Sequence, residues 1–158
     1  LGEDLDFNQY VTIVDRMNYI SPFANEVSWH HAVEKLLGIE VTPRCKYLRT
    51  ILGELARIND HLLCVGAAAL DLGGLTAFLY AFNEREKIYD IFESASGQRF
   101  HPGFSRVGGL MNDITDDVVD KVRAFVKSFP KAHGDVVRLL NRNRIFLDRT
   151  KGVGVLSK

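Results

Sequence analysis

The stretch from Thr42 to Phe82 limits most tightly what this chain can become. Thr42-Pro43 is a helix start: a side-chain oxygen that can take an orphan backbone N–H, then a proline whose φ already suits the first turn. Behind it Leu48, Ile51, Leu52, Leu55, Ile58, Leu62, Ala69 and Leu70 recur at the spacing of one helical face. This predicts a long helix, buried along that face and ending near Gly73. The run stays apolar through "AAALDLGGLTAFLYAF", with one carboxylate, Asp71, two residues before Gly73-Gly74. Cys64 to Phe82 approaches the ~20 apolar residues of a membrane span. A charge and a glycine pair inside it argue against one, and two buried helices meeting at a Gly-Gly corner fit better.

The rest of the chain carries the same helical punctuation. Ser21-Pro22 starts a helix that runs to about Leu37 and stops at Gly38. Thr76 is placed to cap another, reaching Gly97. Thr115, followed by Asp116 and Asp117, starts a further helix with acids at its positive end. Its apolar line is Val118, Val122, Phe125, Phe129, Val136 and Leu140, and Pro130 should kink it. The one long irregular stretch is "GQRFHPGFSRVGGLMND", and long loops tend to carry function. The ending "RTKGVGVLSK" could open a strand, but its "GVG" is only half of a dinucleotide fingerprint. The expectation is all-α: one helical domain over residues 1–158, a bundle of about four main helices. Both ends stop without a capping element, which suggests a piece of a longer subunit.

Composition narrows the function classes. Twenty Lys and Arg balance twenty Asp and Glu, so no charge excess points to nucleic acid or an anionic membrane. Cys45 and Cys64 are too few and too far apart for a metal knuckle and read as reduced thiols. The opening "LGEDLDF" has neither the basic nor the apolar region of a signal peptide. No G-x-S-x-G, P-loop or H-E-x-x-H is present, so hydrolase and NTPase chemistry has no support.

Four places remain as candidates. Asp71 projects to the same side of its helix as Gly53, Asp60, Cys64 and Ala67, a small or polar side. It is either solvated at a helix end or lines a cavity, where a buried carboxylate needs a cation or donors. His30-His31 has the wrong spacing for a shared metal, whereas Glu26, His30 and Glu34 do satisfy i,i+4. A solvated helix face is the better reading of those three, with a metal site as the alternative. His101 lies in the long loop near Arg99 and Arg106 and is the side chain able to change charge near neutral pH. Tyr19 stands just before a helix start, where a packing tyrosine with a wet hydroxyl is the plain reading.

The ordered blocks "DRMNYISPFANE", "AVEKLLGIEVTPR", "ILGELARINDHLL", "ALDLGGLTAFLYAFNEREKIYDIFE", "SGQRFHPGFSRVGG" and "NRNRIFLDRTKGVGV" add a resemblance. Together they resemble the D subunit of proton-pumping NADH-quinone oxidoreductase, respiratory complex I, over its helical middle. The resemblance implies a fragment of the fold shared with nickel–iron hydrogenase large subunits. It implies a peripheral position on the cytoplasmic or mitochondrial-matrix side of the membrane, with no transmembrane helix of its own. Quinone would be the substrate, with no cofactor bound by this chain alone. The terminal iron–sulfur cluster would belong to a neighbouring subunit, and the other peripheral-arm and membrane subunits would be further partners.

Carried over by position, Tyr19 matches the tyrosine that hydrogen-bonds the quinone head group. Asp71 matches the aspartate that pairs with a histidine on an N-terminal hairpin upstream of this chain. Arg16 and His101 match the arginine and histidine beside the cluster. Hydrogenases carry R-x-C-x-x-C where this chain has "RMNYIS", so Asn18 and Ser21 stand in place of thiolates and cannot hold that metal pair. The alternative function is a non-catalytic structural or assembly module, and the isolated piece is expected to be inactive.

Overall fold

A computed structural model describes residues 2–156. A 3-10 turn at Gly2–Asp4 and a single-turn helix, α1 (Val11–Val14), precede four main helices: α2 (Pro22–Leu37), α3 (Pro43–Asp71), α4 (Leu75–Ser96) and α5 (Asp116–Arg142). A short α6 (Arg144–Thr150) follows. Between α4 and α5 lies a small antiparallel hairpin, β1 (Ser105–Arg106) and β2 (Gly109–Leu110), in register Ser105↔Leu110 and Arg106↔Gly109. The expected four-helix, all-α architecture is what forms.

The start and stop signals act largely as expected. The Thr42 hydroxyl accepts from the Cys45 N–H, and Gly38 and Gly97 end α2 and α4 in the left-handed conformation. Ser21 is the residue before α2, yet its side chain makes no capping bond. α4 starts earlier than Thr76 suggests, because the Gly74 carbonyl already accepts from the Ala77 N–H. Pro130 lies inside an α5 that runs on to Arg142. No strand forms at residues 151–156; the chain there is turn and irregular.

The core gathers one face from each main helix. Phe23 of α2, Leu48, Leu52 and Leu55 of α3, Ile88, Ile91 and Phe92 of α4, and Val118 and Phe125 of α5 form one cluster, closed by Phe104 and Ile114. Each large side chain buried this way contributes roughly 1.5–3 kcal/mol. The predicted line on α3 holds at Leu48, Leu52, Leu55 and Ala69, but Ile51 and Leu70 are 41% and 39% exposed. Small residues let α3 and α4 approach closely near their corner: a Cβ on Gly66 would already touch the Ala81 Cβ at 3.5 Å.

That corner divides the long apolar run. No helix among the described residues is long and apolar enough to cross a membrane. Gly73 turns with φ 93, and Gly74 N–H donates to the Ala69 carbonyl at 2.6 Å. A Cβ on Gly73 would lie 2.9 Å from Ile145 Cγ2 of α6. Gly73→Ala is therefore expected to destabilise the chain by about 1–2 kcal/mol from the left-handed backbone alone, with more from the contact. Chemical denaturation of wild type and variant measures it, and equal midpoints would remove the role given to the corner.

Candidate functional site

One stripe of α2 holds the segment that carries His101. Phe23, Glu26, His30, Val33 and Glu34 fall on one side of the helix, and all five are buried. The Glu26 carboxylate accepts from the backbone N–H of Gly103 and of Ser105, each at 2.8 Å. His30 Nδ1 lies 2.9 Å from Ser105 Oγ. Glu34 receives both arms of the Arg49 guanidinium at 2.9 and 2.7 Å, and also the Gly108 N–H at 2.8 Å. Arg49 Nη2 donates onward to the carbonyls of Arg106 and Gly109, at 2.7 and 2.9 Å. The i,i+4 spacing seen in the sequence is thus a clamp on the hairpin. The solvated-face reading of Glu26, His30 and Glu34 is corrected: none of the three is more than 5% exposed. Among the described residues no three His, Cys, Asp or Glu side chains converge on a metal position.

The partners set the charge states along this stripe. Burial pushes the Glu34 carboxyl up, but hydrogen bonds from Arg49 and Gly108, with the Arg49 charge, outweigh it and hold Glu34 below its ordinary value. Burial, helped by the charges of Arg49 and Arg106, lowers His30 to about 4, so its imidazole is neutral at pH 7. Glu26 goes the other way: burial first, then the charge of Asp15, raises it.

The turn after α1 carries Arg16 and Tyr19. Asn25 Nδ2 pins this turn by donating to the carbonyls of Asp15 and Asn18, at 3.3 and 3.0 Å. Arg16 is exposed and its guanidinium donates back to the Thr12 carbonyl. Tyr19 is 58% exposed. His101, from the far side of the chain in sequence, is half-buried with its ring edge-on to Phe100 at 4.6 Å. Its Nδ1 is buried and finds no hydrogen-bond partner among the described residues. Burial, and then the charge of Arg16, lower its pKa.

The charge of Arg16, on the turn that also carries Tyr19, is felt at His101. The fold does not build the loop cluster that the sequence suggested. Arg99 is taken by Glu86 and lies 4.9 Å from the Tyr89 ring centre, while Arg106 donates to the carbonyls of Gly103 and Ser105. Asp71 stands apart. It is the last residue of α3, exposed, and its backbone carbonyl accepts from Arg149 at 3.3 Å. Ile20, next to Tyr19, shares a small cavity with Ala56 and Asn59 of α3. From residue 59 to residue 71 the helix rises about 18 Å. No hydrogen bond joins Tyr19 to Asp71 among the described residues, so any link between them needs a group in between.

Sequence reading passed over Asp15, Asn25, Arg49 and Ser105. Its usable signal was the polar residues sitting on apolar stripes, Glu26 and His30 beside Phe23, and Arg49 beside Leu48 and Leu52. Elsewhere, α3, α4 and α5 leave an apolar groove of about 370 Å³, walled by Ile58, Leu62, Phe129 and Val136 with the buried Glu84.

With this geometry in hand, comparison with known proteins is decisive. The family described as "Respiratory-chain NADH dehydrogenase, 49 Kd subunit" matches residues 71–158. This chain belongs to that family. Three relatives are NADH-quinone oxidoreductase subunits. The chain is 49% identical over its whole length to the second C/D subunit of Aquifex aeolicus, covering 27% of that protein. It is 46% identical over 99% of its length to the second D subunit of Rhizobium meliloti, covering 39% of it. It is 42% identical over its whole length to the D subunit of Methylacidiphilum infernorum, covering 38% of it. The chain thus spans less than two fifths of the length of these relatives.

Arg49→Met tests the clamp. Removing one partner of a buried ion pair costs about 3–5 kcal/mol, because the other charge is left unpaired in a dry site. Urea unfolding of the variant should register a loss of that order, and a change within error would mean the hairpin is held by other contacts.

Proposed function

We propose that this chain forms part of the quinone site of an NADH-quinone oxidoreductase, next to the subunit that carries the terminal iron–sulfur cluster. The observation that supports this reading is the half-buried His101 with an unpartnered Nδ1, under the charge of Arg16, whose turn also carries the exposed phenol of Tyr19. Quinone reduction takes up two electrons and two protons, so it needs proton donors at the head group and a charge-compensating shell at the electron source. When the neighbouring subunit is docked, its cluster supplies the electrons. The chain's own residues do the rest. The Tyr19 hydroxyl, on a turn pinned by Asn25, donates to a quinone carbonyl. Arg16 presents a permanent positive charge, and His101, held neutral by burial and by Arg16, is ready to take a proton when negative charge arrives nearby. The exposed Asp71 carboxylate supports a histidine from outside this chain, which is the bridging group the Tyr19–Asp71 separation calls for.

Two measurements on the assembled oxidoreductase test these roles. Tyr19→Phe should lower quinone reduction on the order of 10²-fold, the usual weight of a positioned proton donor, while NADH still reduces the clusters. Full quinone turnover in that variant would remove Tyr19 from the site. His101→Ala should flatten the pH dependence of the terminal cluster's midpoint potential. A potential that still varies with pH as in wild type would reject the assignment of His101.

A further inference from the structure

Two carboxylates of α2 hold the connection between α4 and α5, and they hold it at different places. Glu26 takes the Gly103 N–H at Oε1 and the Ser105 N–H at Oε2, each at 2.8 Å. These two residues lie just past His101 in the chain. Glu34 instead takes the N–H of Gly108, further along, and its partner Arg49 takes the carbonyls of Arg106 and Gly109. The first grip is next to the histidine; the second is on the hairpin.

The His101 ring has no side-chain hydrogen bond of its own among the described residues, and its Nδ1 is buried without a partner. Its place is therefore set by its backbone and by the edge contact with Phe100. That backbone has a soft point. Gly103 turns at φ 50, and a Cβ there would meet nothing within 4 Å, so no packing fixes the direction of the turn. Beyond it the chain is anchored: Phe104 is in the core, and Ser105 is fully buried with its Oγ 2.9 Å from His30 Nδ1. One hydrogen bond at Gly103 would let the chain swivel. Two, to both oxygens of one planar carboxyl, fix its direction as well as its distance.

We propose that Glu26 is the positioning residue for His101, clasping the Gly103 and Ser105 N–H groups so that the imidazole is aimed, while the Arg49–Glu34 pair holds the hairpin without setting that ring. The clasp depends on acceptor atoms and not on charge, since a protonated carboxyl keeps acceptor capacity. No cation forms an ion pair with Glu26 among the described residues. Asp15, from the turn after α1, is the charged group that acts on it. Arg16, from the same turn, is the one that acts on His101.

The functional consequence rests on the quinone-site reading above, so the experiment reads placement and potential separately in the assembled oxidoreductase. E26Q matches Glu26 in size but puts an amide NH2 in place of one oxygen, so one backbone N–H meets a donor. A structure of the E26Q complex should show the His101 ring displaced. The terminal cluster's midpoint potential should lose its pH dependence, as it does in His101→Ala. R49M should lower the melting midpoint at least as far as E26Q, yet keep the ring in place and the wild-type pH dependence. A Glu26 that only stabilised the fold would not produce that contrast. E26D, whose carboxyl falls one methylene short of the two N–H groups, carries the same expectation if E26Q fails to assemble, and Gly73→Ala can replace R49M as the destabilised comparator. An E26Q complex that keeps the ring in place overturns the proposal. So does one that keeps the wild-type pH dependence where His101→Ala loses it, or the same flattening in R49M. If His101→Ala leaves the potential as in wild type while E26Q still displaces the ring, the cluster role of His101 falls and the positioning by Glu26 stands.

Discussion

The long connection between α4 and α5 has almost no hydrogen-bonded structure of its own, and everything proposed for this chain depends on how it is held. Its hairpin pairs two residues with two, so most of its backbone donors must find acceptors elsewhere. Three of them, on Gly103, Ser105 and Gly108, end on carboxylates of one face of α2. Arg49 of α3 completes the arrangement by neutralising Glu34 and satisfying two hairpin carbonyls at once. An ion pair this deeply buried adds little net stability relative to an apolar replacement. Its contribution is geometric, because a charge without its partner is so costly that the hairpin, α2 and α3 are confined to one arrangement.

That arrangement explains what could and could not be read from the residues in order. Helix identity was legible wherever a local signal decided it: Thr42-Pro43, the glycine stops, and the stripe through Leu48, Leu52 and Leu55. Signals acting alone were weaker. Thr76 offered a cap, but the Gly73-Gly74 corner had already set the chain into α4 sooner. The hairpin was not legible, since its two short strands are held by Glu26 and Glu34, more than seventy residues away. The same long-range dependence misled the reading of α2. A charge-rich stripe normally faces water, and only its sharing of a side with Phe23 and Val33 hinted otherwise.

Site residues divide in the same way. Tyr19, His101 and Asp71 stood out in the sequence only as isolated candidates; Arg16, and the roles that link the four, came through resemblance, because they lie in three separate parts of the chain. The sequence neighbours of His101 are arginines, yet both are spent elsewhere, Arg99 on Glu86 and Arg106 on loop carbonyls. The cation that acts on His101 is Arg16, brought up from the N-terminal turn. Proximity in sequence suggested a cluster of the right composition with the wrong members.

One face of α2 therefore holds three titratable groups in three different conditions, within two to three turns of one another. Glu34 is kept ionised by the Arg49 fork, His30 is kept neutral by burial among positive charges, and Glu26 is pushed up by burial and then by the charge of Asp15. Burial acts on all three, drives the shifts of His30 and Glu26, and is outweighed only at Glu34. The partners they meet come from the hairpin, from α3 and from the Arg16 turn. A helix whose charges were placed only to grip a loop would match every carboxylate with a cation, as Glu34 is matched. Glu26 breaks that pattern at the end of the stripe nearest Arg16. There the carboxylate is held by two backbone N–H groups, of Gly103 and Ser105, and by no cation among the described residues.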